Sequence, residues 1–291
     1  MDCIPESLRT LWPYTPCWHQ TDAGRMHYVD LGPRDARPVL LVHGNPSWGF
    51  LWRNLAAELV ARGRRVIIPD HVGMGLSDRP GRMIRLSDRI RHLRELCDKL
   101  NLQDIDLGVH DWGGAIGLGL ASEQPQRFGR LLVTNTAAFP SNTIPLRIRL
   151  CRLPLIGRFL VEHLDGFAWP ATWMASSDGL PASVRAGFLA PYATAARRHA
   201  VADFVADIPL EKDHPTYVTL QKVSEQLPQL SQHSILLLWG ARDFCFTPHF
   251  HDIFQKVWPH AQSCVFESAG HYVLEDSGEK GLKKAADFLT A

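Results

Sequence analysis

The chain contains no G-x-S-x-G, so the serine that commonly serves as nucleophile on a sharp strand-to-helix turn is missing. Neither sign of charge is in excess. The 31 basic residues face 30 acidic ones, which removes the electrostatic case for nucleic acid or a membrane surface as a partner. Cysteine is sparse and scattered: Cys3, Cys17, Cys97, Cys151, Cys245 and Cys264 form no C-x-x-C. Dispersed thiols without a signal peptide imply a reducing, cytoplasmic setting. Residues Met1 to Glu6 carry neither a basic leader nor an apolar core of the secretory kind. No apolar run approaches the ~20 residues that span a bilayer. Metal-ligand spacing is absent too, since His249 and His251 stand two apart on a polar helix start expected to be exposed. The loop Asp70 to Asp78 holds Gly73 and Gly75 but lacks the third glycine of a dinucleotide fingerprint, so its glycines read as turn geometry. No cofactor and no metal are expected. What remains is a soluble globular chain of 291 residues without repeats, long enough for one large core and an insertion.

Short apolar runs alternate with longer helical patterns, which predicts a mainly parallel sheet with helices on both faces. Strand candidates cover 26–31, 38–43, 65–69, 105–109, 130–135, 234–239 and 262–266. Helices are expected at 48–62, 86–101 and 278–290. In the second, Leu86, Ile90, Leu93, Cys97 and Leu100 recur at helical spacing and form one buried stripe. Between about 140 and 213 the strand signals stop, and seven prolines from Pro140 to Pro209 punctuate short helical stretches. We read residues 140–213 as a helical cap inserted between two parts of one core, 1–139 and 214–291. The plainer alternative is extra helices packed on the sheet away from any site.

Four loops after candidate strands carry chemistry, and ligand sites in open α/β sheets lie at those strand ends. His110-Asp111-Trp112-Gly113-Gly114-Ala115 places a carboxylate on a turn flanked by small residues. An ionised carboxylate needs no base before it attacks. Attack at an sp3 carbon would leave an alkyl ester for water to break. The competing reading of Asp111 is a cap for the helix that begins at Trp112. Asn45, in His43-Gly44-Asn45, offers a backbone N–H and a side-chain amide; the Trp112 indole is a donor with no acceptor. Together they could hold a departing anion, although a Trp after such a turn is often plain packing. Asp243, after the strand ending at Trp239, and His271, after Ser268-Ala269-Gly270, complete a nucleophile–acid–histidine order typical of α/β-hydrolases. His271 would activate water and Asp243 would orient its ring. The alternative acid position, after strand 130–135, holds Asn135 and no carboxylate.

These stretches resemble the haloalkane dehalogenase family: HGNPSWGFLWRN (43–54), PDHVGMGLSD (69–78), VHDWGG (109–114), Trp239 to Asp243 and GHYVLED (270–276). The resemblance runs over nearly the whole chain. It implies an α/β-hydrolase fold with a mainly parallel eight-stranded sheet and an inserted helical cap. It also implies Asp111 as nucleophile, His271 as base, Asp243 as acid, and Asn45 with Trp112 as the halide-holding pair. The branch with this acid position and an Asn-Trp pair also contains the β-lactone decarboxylases of bacterial long-chain olefin synthesis. VTNTAAFP (133–140), PASVRAGFLAPY (181–192) and DFVADIPL (203–210) look as much like those. The leading expectation is hydrolytic dehalogenation to alcohol and halide; the alternative is conversion of a cis-β-lactone to alkene and carbon dioxide on the same Asp111. Epoxide hydrolases usually offer two cap tyrosines, where this cap has Tyr192 alone and Tyr217 follows it. Fluoroacetate dehalogenases tend to carry Arg where Trp112 stands. A non-catalytic binding protein on this fold would show a broken triad. The implied partners are a small hydrophobic substrate and halide as product ligand. Residues 144–160 and the N-terminal 20 residues are candidate surfaces for a homo-oligomer.

Overall fold

The computed structural model describes residues 8–291, so Cys3 and the leader region lie outside the described residues. Eight strands form one sheet: β1 (Cys17–Thr21), β2 (Gly24–Leu31), β3 (Pro38–Val42), β4 (Arg65–Pro69), β5 (Ile105–Asp111), β6 (Phe128–Thr136), β7 (Ile235–Gly240) and β8 (Gln262–Phe266). Their spatial order is β1-β2-β4-β3-β5-β6-β7-β8. The pairs β1–β2 and β2–β4 are antiparallel, and every later pair is parallel. Every residue of β3, β5 and β7 is buried, as parallel strands covered on both faces require.

The one strand without a sequence signal is β1. Cys17-Trp18-His19-Gln20-Thr21 shows no clean apolar alternation, and its place is set by pairing with β2 across a tight turn. There the Thr21 hydroxyl donates to the Gly24 carbonyl (2.6 Å) and accepts the Ala23 N–H (3.1 Å).

Helix α1 (Arg53–Ala61) is shorter than expected, because residues Gly49–Trp52 form a 3-10 turn ahead of it. That turn is fixed by the Asp70 carboxylate, which accepts the Gly49 N–H at 2.7 Å. Helix α2 (Leu86–Lys99) buries Leu86, Ile90, Leu93 and Cys97 of the expected stripe, while Leu100 caps the helix half-buried. Helix α3 (Trp112–Glu123) starts directly at the end of β5 and is buried almost all round. It lies on the sheet beneath α2, while α1 packs with α12 (Gly278–Thr290), the last helix, at its expected bounds.

Between β6 and β7 the chain runs through α4 (Leu146–Cys151), α5 (Ile156–His163), α6 (Ala168–Met174), α7 (Ala182–Leu189), α8 (Ala195–Ala206) and α9 (Tyr217–Gln226). Helix α9 packs back on α3. The others stand over the strand ends and are tied down by polar contacts. Trp48 Nε1 donates to the Gly187 carbonyl (3.0 Å), and Arg85 pairs with Asp207 (2.9 Å). Helices α10 (Pro248–Val257) and α11 (Val273–Asp276) flank β8. At the start of α10, His251 departs from the expected exposure: it is buried, with Nε2 2.8 Å from the Ser263 hydroxyl.

Candidate active site

Asp111 ends β5 with φ 53° and ψ −130°, a backbone conformation that non-glycine residues rarely adopt. Glycines on either side make room for it. A Cβ on Gly44 would collide with the Asp111 carboxylate, and one on Gly113 with the Val42 carbonyl. From β6 the Thr136 hydroxyl donates to the Asp111 carbonyl. The turn therefore does more than cap a helix, for the side chain points away from it into a cavity. Oδ1 accepts the backbone N–H of Asn45 at 2.7 Å, and the Trp112 backbone N–H also reaches the carboxylate. Burial, with a smaller push from Asp243, lifts this carboxyl to about 6 against the opposing His271 and the two N–H groups.

The residue before this loop sets its shape. His43 donates from Nδ1 to the Gly44 carbonyl (2.7 Å) and accepts the His71 N–H at Nε2 (3.2 Å). Burial keeps its ring below the usual imidazole range, hence neutral.

His271 follows β8. Its Nδ1 donates to Asp243 Oδ2 at 2.8 Å, which leaves Nε2 facing Asp111 Oδ2 at 3.8 Å, outside hydrogen-bond reach. Burial alone would lower this imidazole, but the Asp243 charge and bond, joined by Asp111, outweigh it and raise the pKa. Asp243 moves the other way. Burial raises it, and the His271 charge and bond with the Cys245 and Phe246 N–H groups bring it below its ordinary value.

Two supports escaped sequence reasoning. His110 had no assigned role at the head of the turn, yet its Nε2 donates to the His271 carbonyl at 2.9 Å and so fixes that loop. Burial, then the neighbouring His271 charge, drives its ring to about 3, so it stays neutral. Asn135 looked like a vacancy for an acid. Its amide nitrogen instead donates to Asp243 Oδ2 (2.9 Å), and its oxygen accepts the Gly240 N–H (2.9 Å). The same nitrogen also donates to the Gly240 carbonyl (3.2 Å), so three of the four potential bonds of an amide align the acid with its strand. Asn135→Leu is expected to destabilise the fold by ~2 kcal/mol, since it strands the buried Gly240 N–H and removes one of the two donors to Asp243 Oδ2, leaving His271 alone there. Urea unfolding checks this, and an unchanged midpoint would remove Asn135 from the account.

Asn45 differs in detail from its expected role. Its backbone N–H is engaged by Asp111, and its side-chain nitrogen donates to the Val201 carbonyl of α8 at 3.2 Å. An amide nitrogen carries two hydrogens, so one remains for a ligand. Trp112 is half-buried, its ring edge-on to Phe204 at 5.5 Å.

Asp111 borders two apolar pockets, one on each side of it, which form the two arms of the site. One, of about 110 Å³, runs past Trp112, Phe139, Val205, Leu220 and Phe250. The other, of about 370 Å³, runs past Cys151, Pro170, Met174, Phe244 and Tyr272, and includes His271. Asn45, Asp111, Ile148, Phe167 and Cys245 border both. Tyr192 borders neither: its hydroxyl donates to the Ser47 carbonyl (3.2 Å) and accepts the Gly75 N–H (3.3 Å). Among the described residues no group of His, Cys, Asp and Glu is arranged to hold a metal, and no helix is long and apolar enough to cross a membrane.

A family model described as alpha/beta hydrolase fold matches residues 37–155. A cis-3-alkyl-4-alkyloxetan-2-one decarboxylase of Shewanella oneidensis is 36% identical, over 97% of this chain and 91% of its own. A haloalkane dehalogenase of Psychrobacter cryohalolentis is 31% identical, over 91% of this chain and 87% of its own. The crystal structure of haloalkane dehalogenase DbeA from Bradyrhizobium elkani matches with a TM-score of 0.86 at 26% identity, over 94% of this chain and 97% of that one. Sheet order, turn geometry and these similarities converge: the chain is an enzyme of the haloalkane dehalogenase family of α/β-hydrolases, in the branch that also holds β-lactone decarboxylases.

Proposed function

We propose that this enzyme converts a cis-β-lactone bearing two alkyl chains into an alkene and carbon dioxide, with Asp111 as nucleophile. The forked cavity carries this reading, because a 3,4-dialkyl ring has two apolar tails diverging from adjacent carbons and needs an arm for each. The higher identity to the Shewanella decarboxylase than to the Psychrobacter dehalogenase supports it.

In the proposed reaction an Asp111 oxygen attacks ring carbon 4, and the bond from that carbon to the ring oxygen breaks. The ring opens to a carboxylate, held by the second amide hydrogen of Asn45 and the Trp112 indole. Its carbon–carbon bond to ring carbon 3 then breaks. That electron pair forms the double bond to carbon 4 as the ester oxygen of Asp111 departs, and carbon dioxide leaves. Asp111 is regenerated and no water is consumed. Apolar walls assist the second stage, since a carboxylate poorly solvated there is replaced by neutral carbon dioxide.

Dehalogenation is the second reading, and the His271–Asp243 pair favours it. A free Nε2 facing the nucleophile, with Nδ1 held by a carboxylate, is what activation of water on an alkyl ester requires. The deciding experiment gives the enzyme a long-chain cis-β-lactone and, separately, a bromoalkane. Alkene and carbon dioxide are expected from the first, in amounts that depend on Asp111. Halide release from the second with no alkene from the first would leave dehalogenation as the function.

A further inference from the structure

Twelve large hydrophobic side chains are exposed among the described residues, and nine of them fall between Leu146 and Trp173. Four of them stand on the outer sides of α4 and α6, helices that wall the active-site cavity, and the rest on or beside the intervening α5. Leu146 and Leu150 stand one turn apart on α4, with Leu153 just beyond; Trp169 and Trp173 stand one turn apart on α6, each more than half exposed. The other sides of the same helices, at Ile148, Cys151, Pro170 and Met174, line the wider arm. Arg147 joins the two helices by reaching Met174 Sδ at 2.9 Å. A helix that is apolar on both sides is normally covered on both, and a patch of this extent marks a surface with a partner.

The charges around the patch say which partner. Arg147, Arg149 and Arg185 have no carboxylate partner among the described residues. The Arg149 guanidinium donates to the Asn142 carbonyl, and that of Arg185 donates to the Leu180 carbonyl and lies 4.1 Å over the Trp173 ring. A second copy docked about a two-fold axis would bring this basic surface against its own like charges. An anionic lipid surface complements them. Arginine stems can lie along the apolar patch with their heads at the phosphates, and tryptophan suits the boundary between acyl chains and headgroups.

We propose that the outer face of α4 and α6 rests reversibly on an anionic lipid surface, placing the wider cavity arm one helix thickness from the acyl chains. This surface association does not rest on the catalytic reading. It is distinct from spanning, and near-zero net charge does not oppose it, because Arg149 and Arg185 stand beside the patch, whereas Arg147 turns over Phe244 at the mouth of the wider arm.

The test mixes the full chain with phosphatidylcholine vesicles, with and without phosphatidylglycerol, and measures co-sedimentation. Binding to the anionic vesicles is expected to be at least ~10-fold stronger, and to weaken with added salt and in Arg149→Gln. A Leu150→Glu/Trp173→Glu double variant should lose vesicle binding while keeping its circular dichroism and melting temperature, since neither side chain lines the cavity. No binding by the unaltered protein, or equal binding by the double variant, would overturn the proposal. So would an oligomer, seen by light scattering, that the double variant dissociates, for the face would then belong to a second copy.

Discussion

Asp111→Asn is expected to abolish turnover and yet make the folded protein harder to unfold. The loss of activity follows from either reading, because the amide cannot form the ester on which both depend; a fall on the order of 10⁵-fold is the scale for removing such a nucleophile. The stability change follows from burial. Lifted from 3.8 to about 6, the Asp111 carboxyl holds its proton to higher pH in the folded chain than in the unfolded one. Between those values the native state binds more protons, so its stability declines as pH rises through that window. Above about pH 6 the buried anion costs up to ~3 kcal/mol. Asparagine has the same shape, still accepts the Asn45 N–H, and does not ionise. Its advantage should therefore be full above pH 6 and should vanish towards pH 4. Urea unfolding of both proteins across that range measures it. Curves that stay parallel at every pH would show that Asp111 is not a strained anion. The same ionisation predicts that kcat/KM of the unaltered enzyme falls below about pH 6.

This pairing of lost activity with gained stability explains why the site could be read from sequence. Three of its side chains stand where a buried strand stops: Asn45 after Val39 to Val42, Asp111 at the end of Ile105 to Val109, and Asp243 after Ile235 to Trp239. His271 follows β8, a half-polar and partly exposed strand, and was marked instead by the Ala269-Gly270 before it and by its place after Asp243. Polar groups at such points are conspicuous against the hydrophobic run, and parallel topology brings those strand ends to one edge of the sheet. The supports were harder to see. Asn135 carries information only once its distance to Asp243 is known, and His110 only once its ring is seen under the His271 loop. Strand β1 lacked a signal because pairing, and not burial, holds it. The cavity was illegible for a related reason. Its two arms are spaces between short helices whose residues are apolar on several sides, so periodicity shows that they pack without showing what they enclose. Whole-chain charge hid the basic face of the cap, since acidic residues elsewhere cancel it in the sum.

His271→Ala separates the two chemistries by the species that accumulates. Hydrolysis of an alkyl ester needs a water made nucleophilic, and loss of a positioned general base typically costs 10²–10⁴-fold, roughly. A bromoalkane given to this variant should therefore alkylate Asp111 once and stop, leaving an intact mass increased by the alkyl group. Decarboxylation of the opened lactone has no such water step. With a cis-β-lactone the variant is expected to go on releasing alkene, with no lasting adduct. Its rate should still fall on the acidic side, because the His271 charge that lowers the Asp111 carboxyl is gone and the carboxyl stays protonated to a higher pH. The acid limb of the lactone reaction should accordingly move upward from about pH 6, while the plateau above it is less affected. An accumulating lactone adduct, discharged when imidazole is added back, would mean that water does enter this site and that ring opening leads to a hydroxy acid. That result would return the enzyme to the hydrolytic reading, with the two arms serving a substrate whose tails survive the reaction.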